Sequence, residues 1–179
     1  MHKKIVFLFI VAILFACKKA NDSIYIEKTT INYFENPMGI DDLNPSISWS
    51  MVSNERNKKQ SAYQIKVAHS KKALEDNSNL LWDSGKLKSK QNSQIRYAGS
   101  ELKSGQHCYF KIKVWDENDV VSEWSETNFW TMGLLNQNDW KAKWIGFKTD
   151  DKNKKDTLHL PPAPYLRKSF SVNKTIQKA

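Results

Sequence analysis

LKSGQHCYFKIKVWDENDVVSEWSE, residues 102–126, decides the fold. A turn at Lys103-Ser104-Gly105 leads into a strictly alternating run over residues 106–115. Cys108, Phe110, Ile112 and Val114 share one side, and Tyr109, Lys111, Lys113 and Trp115 share the other. Period two of this kind predicts a β-strand with one dry face and one half-wet face. A second turn over residues 116–119 runs on towards another strand. A sheet with one dry face needs a second sheet to cover it, so the stretch predicts a β-sandwich.

Working outward, the chain repeats this pattern. Residues 24–32 are rich in β-branched side chains and predict a first strand, with a turn-rich connector at Asn36-Pro37-Met38-Gly39-Ile40-Asp41. Residues 45–51 follow, with Ile47, Trp49 and Met51 on one face and Trp49 as the core tryptophan. Residues 63–70 place Tyr63, Ile65 and Val67 together, and 71–79 predict a short helical turn or a loop. Residues 80–84, closed by Gly85, and residues 93–97 are further short strands, and 128–132 close the module. Short strands at regular spacing, separated by turn chemistry, are the signature of a sandwich.

The N-terminus is a targeting segment. His2, Lys3 and Lys4 precede an unbroken apolar run from Ile5 to Ala16, the length of a signal-peptide core and too short to span a bilayer. Leu14-Phe15-Ala16-Cys17 resembles the bacterial lipobox, although Phe15 departs from the small residue usual there. That resemblance implies cleavage before Cys17 and its lipidation, hence a membrane as partner. Lys18 stands where an inner-membrane retention aspartate would be, so an outer-membrane address is expected, with 18–23 as a tether.

Beyond Gly133-Leu134-Leu135 something new begins. Trp140 and Trp144 flank its start, 148–159 is a charged loop, Pro161-Pro162-Ala163-Pro164 a rigid extended piece and 165–172 a strand. This tail is short of the about 55 to 65 residues usual for an independent core, which predicts that the second domain is incomplete within the chain. The expected organisation is a signal helix (1–16), lipidated cysteine with tether and first strand (17–32), a sandwich (33–133), and part of a second, truncated β domain (134–179).

Composition narrows the function classes. Hydrophobic residues make up 40% and aromatics 12%, enough for a core and too apolar for a disordered chain. The formal charge is +9, but the lysines are scattered over turns and alternating positions, so no nucleic acid partner is expected. His2, His69, His107 and His159 make no ligand pair at metal spacing. Asp116-Glu117-Asn118-Asp119 lacks the glycine and the closing glutamate of a calcium loop and reads as turn chemistry. No phosphate loop or serine elbow occurs, and no cofactor is expected. Cys108 reads as a small buried hydrophobe.

General acid–base catalysis by a carboxyl pair needs two such groups held close together, one of them with a raised pKa. Asp116, Glu117, Asp119, Glu123 and Glu126 are the local candidates, and a solvated loop is the expected state of all of them. Among the seven tryptophans, Trp115, Trp140 and Trp144 are the candidates for contact with sugar or with a neighbouring domain.

Two resemblances follow from these motifs. Leu102, Gly105 and the strand after them resemble the corner and sixth strand of a fibronectin type III domain, with Cys108 at the place of that family's corner tyrosine. The corner is therefore expected to be weaker here or differently built. Over residues 33–179 the chain resembles the N-terminal region of bacterial α-L-rhamnosidases. The matching motifs include the Asn36–Asp41 connector, Leu81-Trp82-Asp83-Ser84-Gly85-Lys86, Tyr97-Ala98-Gly99, Val114-Trp115-Asp116 and Ser122-Glu123-Trp124-Ser125. Met132-Gly133-Leu134-Leu135, Lys143-Trp144-Ile145-Gly146 and Leu166-Arg167-Lys168-Ser169-Phe170 continue them. That resemblance implies a fibronectin-III-like sandwich and the start of a second β-sandwich, followed in the family by a helical barrel that carries the acidic pair. No catalytic residue of the family falls on this sequence. The expected function is the non-catalytic N-terminal portion of a lipid-anchored α-L-rhamnosidase, with the catalytic domain of the same polypeptide and a rhamnose-containing glycan as partners. The alternative is a free-standing surface module that binds glycan or protein.

Overall fold

Alternating patterning resolves into eight strands in a computed structural model that describes residues 24–146 and 165–176. The strands are β1 (Tyr25–Ile31), β2 (Ser46–Val52), β3 (Gln60–Ala68), β4 (Leu80–Asp83), β5 (Leu87–Lys88), β6 (Ile95–Arg96), β7 (His107–Asp116) and β8 (Asn128–Thr131). A short helix, α1 (Lys71–Glu75), and a 3-10 turn at Gln137–Asp139 complete the elements. The signal segment, Cys17, the tether, the loop at 148–159 and the prolines at 161, 162 and 164 lie outside the described residues. Among those described, no helix is long and apolar enough to cross a membrane.

The strands form two antiparallel sheets, a three-stranded one in the order β1-β2-β6 and a five-stranded one in the order β4-β3-β7-β8, with β5 paired to β3. Between them the inward sets meet as the alternation requires. Cys108, Phe110, Ile112 and Val114 are buried, and Ile65 pairs with Ile112 and Val67 with Phe110 across the β3–β7 ladder. Ile31, Ile47 and Trp49 face them from the other sheet. Trp49 stacks edge-on against Tyr63 at 5.2 Å and donates from Nε1 to Gln60 Oε1 at 3.0 Å. Gln60 is buried but satisfied, since its amide donates to the carbonyls of Ser89 and Gln91. Trp130 is the largest fully buried side chain, packed against Phe110 and Tyr97.

The corner is built from the other side. Cys108 is buried at the expected tyrosine position, and Tyr97 supplies the hydroxyl, which donates to the carbonyl of Ser100 at 2.8 Å. Gly99 is required there by close approach: a Cβ would lie 2.4 Å from the Leu81 carbonyl oxygen and 2.5 Å from Trp82 Cβ. Gly105 holds the following turn at φ 68, a left-handed value that favours glycine. In α1, Ser70 Oγ caps the Ala73 amide at 3.1 Å, and Leu74 packs with Ala68 and Ala73 into a small satellite core.

The chain divides into two units, Met1–Asp139 and Trp140–Ala179. In the second, the described residues carry no strand or helix, so the strand expected over 165–172 is not formed. The physical reason is local. Trp144 and Tyr165 are 95% and 99% exposed, and a lone extended segment has neither a ladder partner nor a covered face among these residues.

Candidate functional site

The outward face of the five-stranded sheet gathers charge and aromatic rings. Alternation that buries Val67, Phe110, Ile112 and Val114 turns Lys66, Lys111, Lys113 and Trp115 outward. Lys66 and Lys111 are directly opposed across the ladder, an arrangement that is destabilising by itself. Trp124 offsets it. The ammonium groups of Lys113, Lys111 and Lys66 lie 4.6, 5.0 and 5.6 Å from its ring centroid. Trp115 is likewise held between Lys86 at 4.7 Å and Lys113 at 5.1 Å. Each such contact contributes about 0.5–1 kcal/mol when partly exposed. Lys66 also donates to Asn77 Oδ1 at 2.7 Å and lies 3.5 Å from Asp83, while Lys86 pairs with Asp119. Burial, and then the charge of Lys66, holds the Lys111 ammonium below its usual range.

Trp124 reaches this position through two serines. β8 pairs only with residues 107–110 of β7, which leaves the far half of that edge open. Ser122 closes one rung: its amide donates to the Val114 carbonyl at 2.8 Å, and its Oγ accepts from the Val114 amide at 3.0 Å. Ser125 repeats the pattern on Ile112 at 2.7 and 3.0 Å. Side chains thus stand in for ladder partners, and an edge that would invite another chain is covered. Ser122-Glu123-Trp124-Ser125 stands in the sequence as a family motif, and its mechanical role emerges from pairing with residues eight and thirteen positions earlier.

The acidic loop differs from expectation at one residue. Asp116 is buried rather than solvated, and its carboxylate accepts from Lys58 Nζ, the Asn118 amide and the Val120 amide, each at 2.9 Å. Burial pushes its pKa up, but the bonds from Lys58 and from the two amides outweigh burial and hold the carboxyl below its usual range. Lys58 is raised in turn by its hydrogen bonds to Asp116 and Glu55. Glu117 accepts from the Lys59 amide at 2.8 Å, while Glu123 and Glu126 are exposed. Asp116 is therefore the organiser of the loop. Among the described residues no group of three or more His, Cys, Asp or Glu is placed to hold a metal ion.

The three tryptophans picked from the sequence divide between the units. Trp115 lies half-buried in the lysine array of the sandwich. Trp140 and Trp144 belong to the second unit, where they are 61% and 95% exposed. Cys108, fully buried, has its thiol pushed up to about 12 by that burial, which makes it a packing residue.

Residues 26–136 match the model of the Rha78A-like, N-terminal immunoglobulin domain. The chain belongs to this family. Its Rha78A-like domain accounts for the sandwich and for both sheets described above. The chain is 40% identical over 150 residues to an α-L-rhamnosidase of Formosa agariphila, covering 82% of this chain and 16% of that protein. A second α-L-rhamnosidase of the same organism is 32% identical over 198 residues, covering 99% of this chain and 21% of its own length. The solved α-L-rhamnosidase of Streptomyces avermitilis, complexed with L-rhamnose, superposes with a TM-score of 0.66 at 35% identity, over 69% of this chain and 12% of that one. The chain thus spans about a sixth to a fifth of the curated relatives it matches.

Proposed function

We propose that this chain is the N-terminal, non-catalytic part of a lipid-anchored α-L-rhamnosidase. The observation that carries the reading is the alignment of a Rha78A-like sandwich, and of residues beyond it, with the α-L-rhamnosidases named above. Two of the five candidate carboxylates of the sandwich support it by what they already do. Asp116 is committed to Lys58 and two loop amides, and Asp119 is paired with Lys86. Neither is free to protonate a leaving group or to activate water. The catalytic pair then resides in a further domain of the same polypeptide, acting on a rhamnose-containing glycan. The sandwich presents that domain, and Trp140 and Trp144 supply apolar surface for packing at the next boundary. Cys17 carries the lipid, which places the enzyme at the outer membrane.

DNA sequence past the codon for Ala179 tests the reading. Continuation in frame into a helical, acid-rich barrel is expected. A stop codon with no resumption in any frame would overturn it, as would aryl α-L-rhamnoside turnover by this chain alone that disappears with Asp116→Asn or Glu123→Gln. Cys17→Ala should move the protein from the membrane pellet to the soluble fraction.

A further inference from the structure

The three-stranded sheet holds an aromatic ring in a place that folding alone does not favour. Ile31 and Phe34 exchange both backbone hydrogen bonds at 2.9 Å across a two-residue turn, Asn32-Tyr33. Both turn residues have positive φ, 46 for Asn32 and 73 for Tyr33, the form in which asparagine followed by glycine is strongly preferred. Tyr33 takes the glycine position. Its ring contributes nothing to the core, being 73% exposed. It is nevertheless fixed at its far end, where the hydroxyl accepts from Gln94 Nε2 at 2.7 Å. Gln94 is itself left-handed, at φ 55, and its amide donates to Ser48 Oγ at 2.9 Å. Two backbone outliers therefore cooperate to hold one exposed ring, and outliers kept against local preference point to a site.

The surroundings give the chemistry of the ligand. Ile47 and Trp49 face the core, so Ser48 faces outward, paired across the ladder with Thr30. Arg96 stands on the neighbouring strand with its guanidinium fixed by Asp42 Oδ2 and the Asn44 carbonyl, each at 3.0 Å. An exposed aromatic ring beside an amide, hydroxyls and a fixed guanidinium suits a molecule with one C–H face and a rim of hydroxyl groups. We propose that Tyr33, with Gln94, Ser48 and Arg96, forms a binding site for a pyranose ring on the outward face of the three-stranded sheet. The site goes beyond the reading given above. It is built wholly from the sandwich and is separate from Trp115, which belongs to the other sheet.

The test is a titration of the isotopically labelled chain, from residue 18 onward, with L-rhamnose, followed by amide chemical shifts. Saturable shifts are expected at Ser48, Gln94 and Arg96, with a Kd on the order of 10 mM for a single small ring. Tyr33→Gly suits the turn and should keep the rest of the spectrum while weakening binding about tenfold or more. Tyr33→Asn, also tolerant of the left-handed region, serves if the glycine variant loses its fold. Gln94→Ala, which releases the ring without removing it, should weaken binding by a smaller factor. Trp115→Ala should leave the shifts unchanged. No saturable shift on this sheet in the wild-type chain, or equal shifts in Tyr33→Gly or Tyr33→Asn, would overturn the proposal. Its failure is distinct from failure of the rhamnosidase reading, which DNA sequence past Ala179 decides.

Discussion

Asp116 shows how far a single side chain can depart from what its neighbours in sequence imply, whereas Cys108 keeps the buried place that alternation assigns it. An aspartate opening a turn is ordinarily wet, yet Asp116 is 1% exposed because Lys58, far away in the chain, comes to meet it. Replacing it with alanine leaves Lys58 without its main partner and two loop amides without an acceptor. A loss of about 2–4 kcal/mol is expected, read as a lower urea midpoint at an unchanged slope. The carboxyls of Asp83, Asp116 and Asp139 are held below their usual range in the folded chain. The folded state therefore binds fewer protons than the unfolded one across that interval. Their contribution to stability should be constant above about pH 5 and fall as the pH drops through the carboxylate range, with Asp116→Asn flattening the acid limb. Cys108 gives the opposite sign. Burial raises its thiol to about 12, so the folded chain keeps a proton that the unfolded chain loses. Stability should fall as the pH rises from about 8.5, where a free thiol ionises, towards the folded value, and Cys108→Ala should remove that part of the slope. Alkylation of the peptide containing Cys108 should require denaturant.

At the level of elements, the sheets are closed by devices rather than by more strand. Ser122 and Ser125 complete the ladder of β7 with side-chain oxygens, so Ser122→Ala strands the Val114 amide in a buried position. A loss of about 1–2 kcal/mol is expected, together with faster hydrogen exchange at Val114 and little change at Phe110, which β8 still covers. Trp124→Ala removes the ring shared by Lys66, Lys111 and Lys113 and leaves like charges opposed. The expected cost is about 1–2 kcal/mol, larger at low salt than at high salt because the repulsion is screened. Gly99→Ala tests the corner itself, since backbone and core atoms lie where the new Cβ would go. It should cost more than about 3 kcal/mol or prevent folding, as judged by loss of dispersed amide shifts.

For the whole molecule, the boundary at Asp139 has a direct readout. The sandwich buries two facing sheets, whereas the described residues after it leave Trp144, Tyr165 and Phe170 open. Brief protease treatment should therefore leave a protected fragment ending near Asp139, identified by intact mass. By itself the sequence determined the fold class, because the period of two is written into residues 106–115 and repeated in the other main strands. It determined the inward set of β7 and the core role of Trp49 for the same reason, since alternation fixes which side chains share a face whatever lies opposite. Only the tertiary structure decided which distant residues meet. It brought Lys58 to Asp116, put Tyr97 at the corner in place of Cys108, and spread three lysines around Trp124. It also set the left-handed backbone of Tyr33, where a tyrosine stands in the place that a glycine would mark in sequence. The meetings of Lys58 with Asp116, of the lysines with Trp124 and of Tyr33 with Gln94 depend on long-range pairing between strands and loops, and periodicity along one strand carries no information about the partner across the sheet.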